Sequence, residues 1–145
     1  MKRLRPSSAA AVLAAVLLAA VLAAALLVAV PAAQGRVVTW KRIESPSRLI
    51  SCIALKYEGP GIECSAPYLP RKYELDPYYE LRPHGRTRAG ERGDYPGYSV
   101  PNRILHYGDV WKRPGIRCSM ARSGLTCHNL DGHGFHMARG ALRRF

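Results

Sequence analysis

Three histidines and a carboxylate lie within nine residues in the last part of the sequence. His128, His133 and His136 flank Asp131, and imidazole and carboxylate groups together are ligands that transition metals prefer. They surround one glycine-rich turn, but nothing in their spacing makes the side chains converge. We therefore assign neither a metal site nor a cofactor.

Acid–base chemistry on RNA is a second candidate. A small basic ribonuclease can use a glutamate as base and a histidine as acid, with arginine on the phosphate. Glu63 or Glu74 could be paired with His106 or His133, but the sequence favours no pair, so we assign no catalytic residue. The chain has no Gly-x-Ser-x-Gly segment, which argues against a serine hydrolase of that type.

Four cysteines could bind zinc or form two disulfides, for which three connectivities exist. Cys52 and Cys64 have 11 residues between them, and Cys118 and Cys127 have 8. Zinc knuckles use spacings of roughly two to four residues, so zinc is disfavoured. Each close pair is bracketed by hairpin-like sequence, so we predict the disulfides Cys52–Cys64 and Cys118–Cys127. Such bonds form in oxidising compartments.

The segment around Cys118 and Cys127 is the clearest structural element. Direct pairing of the two cysteines centres a hairpin turn between Arg122 and Ser123. The following Gly124 can take the left-handed conformation that such turns often need. After this hairpin the chain makes a tight glycine turn. We interpret four of its residues as structural: Gly132, His133, Gly134 and Phe135.

Residues 67–101 are rich in Pro, Gly, Arg and Tyr and contain few aliphatic side chains. The stretch has no regular period, so we predict a surface loop whose middle, residues 80–97, is the least ordered part. Interleaved arginine and tyrosine side chains could bind a single-stranded nucleic acid or a glycan by charge and stacking; the other reading is a solvated insertion. The candidate polyanion contacts are Arg71, Lys72, Arg82, Arg86, Arg88 and Arg92.

The beginning of the chain has the pattern of a leader. Positive residues precede an apolar run of 22 residues, 9–30, and small residues follow it. We predict that residues 1–32 are a signal peptide and that 33–145 form a single β domain. The run is also long enough to span a bilayer, so an uncleaved membrane anchor is the alternative. Either reading places the domain outside the cytoplasm.

The predicted domain is strongly basic. Three of the 22 Lys and Arg residues and none of the ten Asp and Glu residues precede it, which leaves 19 basic and ten acidic side chains, a formal charge of +9. Such a charge attracts polyanions, and an acidic envelope polymer is one candidate partner. The other reading is that the basic surface only keeps the protein soluble.

Short runs of β-branched and aromatic residues indicate strands, and no amphipathic helix follows the leader. Trp40 and Trp111 are the expected anchors of a thin core. We predict an all-β, disulfide-stapled domain of six or seven short antiparallel strands after an N-terminal apolar leader helix. The segments with strand character are 37–40 with Ile43, 49–55, 62–64, 104–107 and 110–111, followed by the second hairpin.

Similar glycine-to-cysteine segments recur in the chain. Residues 61–64 read Gly-Ile-Glu-Cys and align with Gly-Ile-Arg-Cys at 115–118, and Gly-Leu-Thr-Cys at 124–127 follows the same order. A twofold internal repeat and shared hairpin chemistry explain this equally well.

Several motifs together resemble an uncharacterised family of small exported actinobacterial proteins. Its pattern is similar to Ser-Pro-Ser-Gly-Asn-x-x-Cys near the start and Ser-Gly-Leu-Thr-Cys-x-Asn-x-x-Gly-His-Gly-Phe near the end. The matching segments here are 45–47, 61–64, 105–108, 123–129, 132–135 and 138–139. Arg48 and Leu49 stand where the family has Gly-Asn. The resemblance implies export and a compact cysteine-paired domain, and it transfers no activity.

These observations favour an exported, non-enzymatic envelope or extracellular binding or interaction module with a basic surface. The alternative is a small secreted hydrolase that acts on a polyanion such as RNA.

Overall fold

The computed structural model describes residues 35–55, 59–71, 74–95 and 102–145, all within one compact unit, Gln34–Phe145. In these ranges the protein contains twelve strands in two six-stranded sheets and no helix, so the all-β prediction is confirmed. The predicted leader helix and Lys72 lie outside the described residues. The described residues include no helix long and apolar enough to cross a membrane.

The strands are short and follow one another closely. In chain order they are β1 (Val37–Val38), β2 (Arg42–Glu44), β3 (Ser51–Ala54), β4 (Ile62–Ser65), β5 (Asp76–Leu81), β6 (Arg88–Arg92), β7 (Arg103–Ile104), β8 (Val110–Arg113), β9 (Ile116–Ala121), β10 (Gly124–Asn129), β11 (Gly134–Ala138) and β12 (Ala141–Arg144). The prediction of six or seven antiparallel strands was too low, because two-residue strands and strands without aliphatic residues give little sequence signal.

Each sheet is a five-stranded antiparallel meander with one extra strand. Sheet A has the order β1-β8-β9-β10-β11-β12, and sheet B has the order β6-β5-β4-β3-β2-β7. The extra strands are parallel to their neighbours: β1 pairs with β8, and β7 pairs with β2. Strand β1 therefore precedes the β2–β6 meander in the chain but adds to sheet A, and β7 precedes the β8–β12 meander but adds to sheet B.

This exchange separates two segments that the sequence presents as one strand. Val37 and Val38 belong to sheet A, whereas Ile43 lies in sheet B. The chain crosses between the sheets at residues 39–41, so the prediction of one strand over 37–40 with Ile43 was wrong. A local hydrophobic pattern cannot reveal a crossover that depends on a partner strand more than 60 residues later.

The topology repeats itself once along the chain. Strands β1–β6 and β7–β12 each consist of a short strand followed by a five-stranded meander, and each disulfide joins the second and third meander strands. The twofold repeat therefore has a counterpart in the fold. In this correspondence Cys64 on β4 matches Cys127 on β10, so residues 124–127, and not 115–118, are the equivalent of 61–64.

Both predicted disulfides are present. Cys52 is directly opposite Cys64 with a Cα–Cα distance of 4.1 Å, and Cys118 is opposite Cys127 at 4.0 Å. These short distances are typical of the non-hydrogen-bonded residue pairs of an antiparallel ladder. Ala121 pairs with Gly124, so the turn between them is centred as predicted. Each bond closes a short loop and stabilises the fold by about 2–3 kcal/mol in loop-entropy terms.

The buried side chains of both sheets form one hydrophobic cluster. In sheet A, the Cys118–Cys127 bridge lies between Trp111, which is opposite Cys118, and Phe135, which is opposite Cys127. Trp111 is fully buried and donates from its indole N–H to the Trp40 carbonyl at 2.7 Å. It is thus a core anchor as predicted, while Trp40 is only partly buried at the edge of the cluster.

The predicted loop at 67–101 contains a β-hairpin, β5–β6, and residue 95 is buried, so the prediction of low order over 80–97 was wrong for the described part. Opposite charges face each other across the hairpin, with Asp76 against Arg92 and Glu80 against Arg88. The ion pairs of these side chains are with other residues: Arg92 binds Glu63 of β4, and Asp76 binds Arg71. Tyr95 is 2% exposed, and its hydroxyl donates toward the Glu63 carbonyl at 2.7 Å. Charge pairing and tyrosine burial thus replace the aliphatic pattern.

Asp109 anchors the exchanged strand β1. It accepts hydrogen bonds from the backbone N–H groups of Arg36 at 2.9 Å and His106 at 3.1 Å, and from the Arg36 guanidinium at 3.1 Å. Burial alone would raise the pKa of Asp109, but these hydrogen bonds outweigh it and hold the pKa below its usual value.

The predicted turn 132–135 divides into two parts. Gly132, with φ 79°, belongs to the turn, whereas Gly134 and Phe135 begin β11. A Cβ at Gly134 would lie 1.9 Å from the Cys127 carbonyl oxygen. Gly134 is therefore required for close approach of β11 to β10, and not for the turn itself.

Gly134→Ala should lower the free energy of unfolding by about 1–3 kcal/mol, because β11 must move away from β10. Chemical denaturation measures this change. Gly93→Ala is the matched control, because a Cβ there meets nothing within 4 Å. Equal stabilities of the two variants would contradict the close-approach argument.

Asp109→Asn should destabilise the protein by about 1–3 kcal/mol at neutral pH, because a charged acceptor is lost. A carboxylate with a lowered pKa contributes stability above its unfolded pKa, and that contribution is lost as the pH falls through the folded pKa. The difference between wild type and variant should therefore shrink below about pH 4. A difference that stays constant from neutral to acid pH would refute this role.

Candidate anion-binding site

Three of the six predicted polyanion contacts are used inside the fold. Arg71 forms an ion pair with Asp76 at 3.0 Å, Arg82 pairs with Glu80, and Arg92 pairs with Glu63 at 2.7 Å. Lys72 lies outside the described residues. The remaining two, Arg86 and Arg88, are exposed.

The Glu63–Arg92 pair is structural. The Glu63 side chain is 4% exposed, and the Arg92 guanidinium stacks over the Tyr78 ring at 4.5 Å. Burial lowers the pKa of Arg92, but the hydrogen bond with Tyr78 and the charge of Glu63 outweigh it, so the pKa is raised above its usual value. Arg92 therefore stays charged to neutralise a buried carboxylate, and removing it would leave that charge uncompensated.

One concave site combines residues from three separate segments. It is a cavity of about 790 Å³ between the β5–β6 turn, the β10–β11 turn and the last strand. No carboxylate side chain is among the described residues that line it: Tyr79, Arg86, Thr87, His133, Leu142, Arg143, Arg144 and Phe145. Three guanidinium groups and an imidazole thus surround one cavity, which we call the basic pocket.

The Asn129 side chain positions two walls of the basic pocket. Its Nδ2 group donates to the carbonyls of Arg82 at 3.0 Å and Gly85 at 2.7 Å. Its Oδ1 atom accepts from the backbone N–H groups of Asp131 at 3.1 Å and His133 at 3.0 Å. One buried amide therefore joins the β5–β6 turn of sheet B to the β10–β11 turn of sheet A.

Asp131 adds a second connection between the same two turns. Its carboxylate accepts from the Gly85 N–H at 2.8 Å and lies 2.8 Å from His84 Nδ1. The Gly85 and His84 hydrogen bonds hold the pKa of Asp131 below its usual value. The Asp131 carboxylate is thus hydrogen-bonded within the two turns, and it does not line the basic pocket.

The third wall is β12, an edge strand of sheet A. Phe145 exchanges two backbone hydrogen bonds with Gly134, at 2.9 and 3.1 Å, and Arg143 and Arg144 pair with His136 and Phe135 of β11. Because neighbouring residues of a strand alternate between its faces, the two arginines reach the cavity from opposite sides of the edge. The Thr87 hydroxyl at the pocket wall is buried, and the fold gives it no hydrogen-bond partner among the described atoms.

The other candidate residues do not converge. His128 is exposed on β10, and His136 lies 2.9 Å from the Thr126 hydroxyl. No group of three or more metal-binding side chains occurs in the described ranges. Neither Glu63 nor Glu74 lines the basic pocket with His133.

Sequence reasoning identified Arg86 but missed Arg143 and Arg144 as members of the same site. Their basic character is evident in the sequence, but their proximity to Arg86 depends on hydrogen bonds between residues 44–47 positions apart. The Asn129 side chain was likewise not recognised as the connecting group. No local pattern carries such contacts.

Asn129→Ala should lower the free energy of unfolding by about 2–3 kcal/mol, because it leaves buried backbone groups unsatisfied. Leu130→Ala serves as the control: its side chain is 67% exposed, and its stability should change by less than about 0.5 kcal/mol. Thermal and chemical denaturation of both variants tests the connection. A stable Asn129→Ala variant would show that the two turns do not depend on this amide.

Comparisons with known proteins give no match to this chain: no family model, no curated protein and no solved structure is similar to it. The roles assigned to the residues of the basic pocket rest on their geometry in this chain.

Proposed function

We propose that this protein is an exported, non-enzymatic envelope or extracellular module that binds an acidic polymer at the basic pocket. The observation that carries the proposal is the convergence of Arg86, His133, Arg143 and Arg144 on one cavity, with no Asp or Glu side chain among the described lining residues. Preorganised guanidinium groups bind phosphate and carboxylate groups strongly because they donate two parallel hydrogen bonds.

The distribution of charge supports the proposal. Six of the nine described carboxylate side chains are paired with arginine or histidine inside the protein. These pairs leave most of the exposed cations without a counter-charge from the protein. A surface of this kind attracts polyanions over a distance of about one Debye length.

Export is supported by the two disulfides, which are consistent with an oxidising environment. We propose that residues 1–32 act as a signal peptide, with the apolar run 9–30 as a membrane anchor if the leader is not cleaved. The acidic polymer is then one that the protein meets outside the cytoplasm, such as an acidic envelope polymer.

We extend the proposal to the family resemblance, because several residues of the shared motifs make structural contacts in this protein. Ser45 closes a turn by accepting from the Ile50 N–H at 3.0 Å, Asn129 joins two turns, and Gly134 permits close strand approach. Arg48, which replaces the family glycine, has φ 57°, a conformation that favours glycine. These contacts support the resemblance, and we propose that the chain is related to these small exported proteins.

The hydrolase alternative receives less support. A ribonuclease mechanism needs a carboxylate base beside the histidine acid. Glu63 is buried and paired with Arg92, and Glu74 is not among the residues that line the basic pocket. The cavity offers cations for binding, and the described part of the chain adds no base to it.

Replacing Arg86, Arg143 and Arg144 together by Gln should weaken binding to long-chain polyphosphate by at least about tenfold. It should also reduce the slope of log affinity against log salt concentration by about 2–3, roughly one unit for each lost contact. Calorimetric titrations at several salt concentrations measure both quantities.

The matched control removes the same charge elsewhere, at exposed Lys41, Arg122 and Arg139; the last two line a different depression. We expect this variant to lose affinity only slightly. Equal losses in the two triple variants would mean that binding follows net charge alone, and would contradict a specific role for the basic pocket.

A further inference from the structure

A second basic depression lies on the outward face of sheet A, at one end of β8, β9 and β10. Its volume is about 380 Å³. The residues that line it are Lys112, Arg113, Gly115, Ile116, Arg117, His128, Asn129 and Leu130. They include no carboxylate side chain and no Phe, Tyr or Trp.

The basic side chains of this depression lie in a row across three strands. Lys112 is directly opposite Arg117, and Arg117 is directly opposite His128. Neighbouring strands are about 4.8 Å apart, so the three side chains follow one another in steps of that size. Like charges in directly opposed positions destabilise a sheet. The fold gains nothing from this line, whereas a bound chain of negative charges would neutralise it.

The second depression and the basic pocket lie on the two sides of one turn. Asn129 lines the depression and His133 lines the pocket, and the Asn129 side chain accepts from the His133 N–H at 3.0 Å. Pro83 in the β5–β6 turn contacts this turn by accepting from the Leu130 N–H at 3.1 Å. Asp131 is the carboxylate in the described β10–β11 turn, and it is hydrogen-bonded to Gly85 and His84.

The outward face of the β8–β12 meander connects the same two sites. Alternation along the strands places Lys112, Arg117, His128, His136 and Arg143 on this face. No Asp or Glu occurs within these five strands. Cations and neutral side chains therefore continue from the depression to Arg143, which lines the basic pocket.

We propose that the depression and the basic pocket form one continuous track for a flexible, linear polyanion that has no aromatic bases. This inference rests on the proposed function and names its ligand class. Proteins that bind single-stranded nucleic acid combine a basic groove with exposed aromatic rings on which bases stack. Tyr79 and Phe145 line the pocket end of the track, but no Phe, Tyr or Trp lines the depression. The residues of the depression therefore recognise the repeated charge and not a base.

A ligand that spans both sites should bind through linked contacts. Once one segment occupies the pocket, the next is held at high effective concentration near Lys112 and Arg117. Affinity should therefore rise steeply with polymer length. A ligand too short to reach both sites should depend on the pocket alone.

The test compares tripolyphosphate with long-chain polyphosphate on the full chain. For wild type, affinity per phosphate should be at least about tenfold higher for the long chain. Lys112→Gln with Arg117→Gln should remove most of this advantage and leave tripolyphosphate binding unchanged. Lys41→Gln with Arg122→Gln is the control of equal charge, and it should keep the length dependence. The four substituted positions, Lys41, Lys112, Arg117 and Arg122, are exposed, so thermal midpoints should confirm folding of every variant.

The outcomes separate the two proposals. Absence of binding to either polyphosphate would overturn the proposed function itself. Strong binding of the long chain by the Lys112→Gln/Arg117→Gln variant, equal to wild type, would overturn the track and leave the pocket in place. Tighter binding of poly(U) than of polyphosphate at equal phosphate concentration would overturn the assignment to a polymer without bases.

Discussion

The amide of Asn129 is the interaction on which the shape of the candidate site depends. An asparagine side chain can donate two hydrogen bonds and accept two, and all four are made here, to the backbone of residues 82, 85, 131 and 133. Aspartate could not donate, and serine would be too short to reach both turns. Asn129 is 5% exposed, so water cannot replace a lost partner. The buried amide thus brings Arg86 of one sheet beside His133 of the other.

The remainder of the fold makes that single connection sufficient. Each sheet has its own disulfide at the centre of its meander, and the exchanged strands β1 and β7 tie each half of the chain to the opposite sheet. A small domain with a thin core gains much of its stability from such constraints. The turns at the ends of the sheets are then free to carry polar and basic residues, because they are not needed to build the core.

The features that sequence reasoning predicted well are local ones. The Cys118–Cys127 hairpin, its turn at Arg122–Ser123 and the all-β class follow from residue types a few positions apart, and the pairing of Cys52 with Cys64 follows from the same logic. The features that it missed depend on long-range pairing. The β5–β6 hairpin is held by the ion pair of Arg92 with Glu63 of β4 and by Tyr95, which reaches a carbonyl 32 residues away, so aliphatic periodicity does not reveal it. The candidate site was predicted only in part for the same reason: Arg86 was named, but composition cannot distinguish it from Arg92, which neutralises a buried glutamate.

Internal pairing of carboxylates is what turns a high net charge into a candidate site. Arginines that form ion pairs with carboxylates, such as Arg92 with Glu63, stabilise the fold. Arg86, Arg143 and Arg144 instead line the basic pocket together. The most direct test of this account is an NMR titration of isotope-labelled protein with polyphosphate, which reports on each backbone amide separately. The account predicts the largest shifts at Gly85, Arg86, His133, Arg143 and Arg144. Two results would contradict it: shifts centred instead on Tyr107 and Arg122, which line the separate depression that also contains Arg139, or no localised shifts at all.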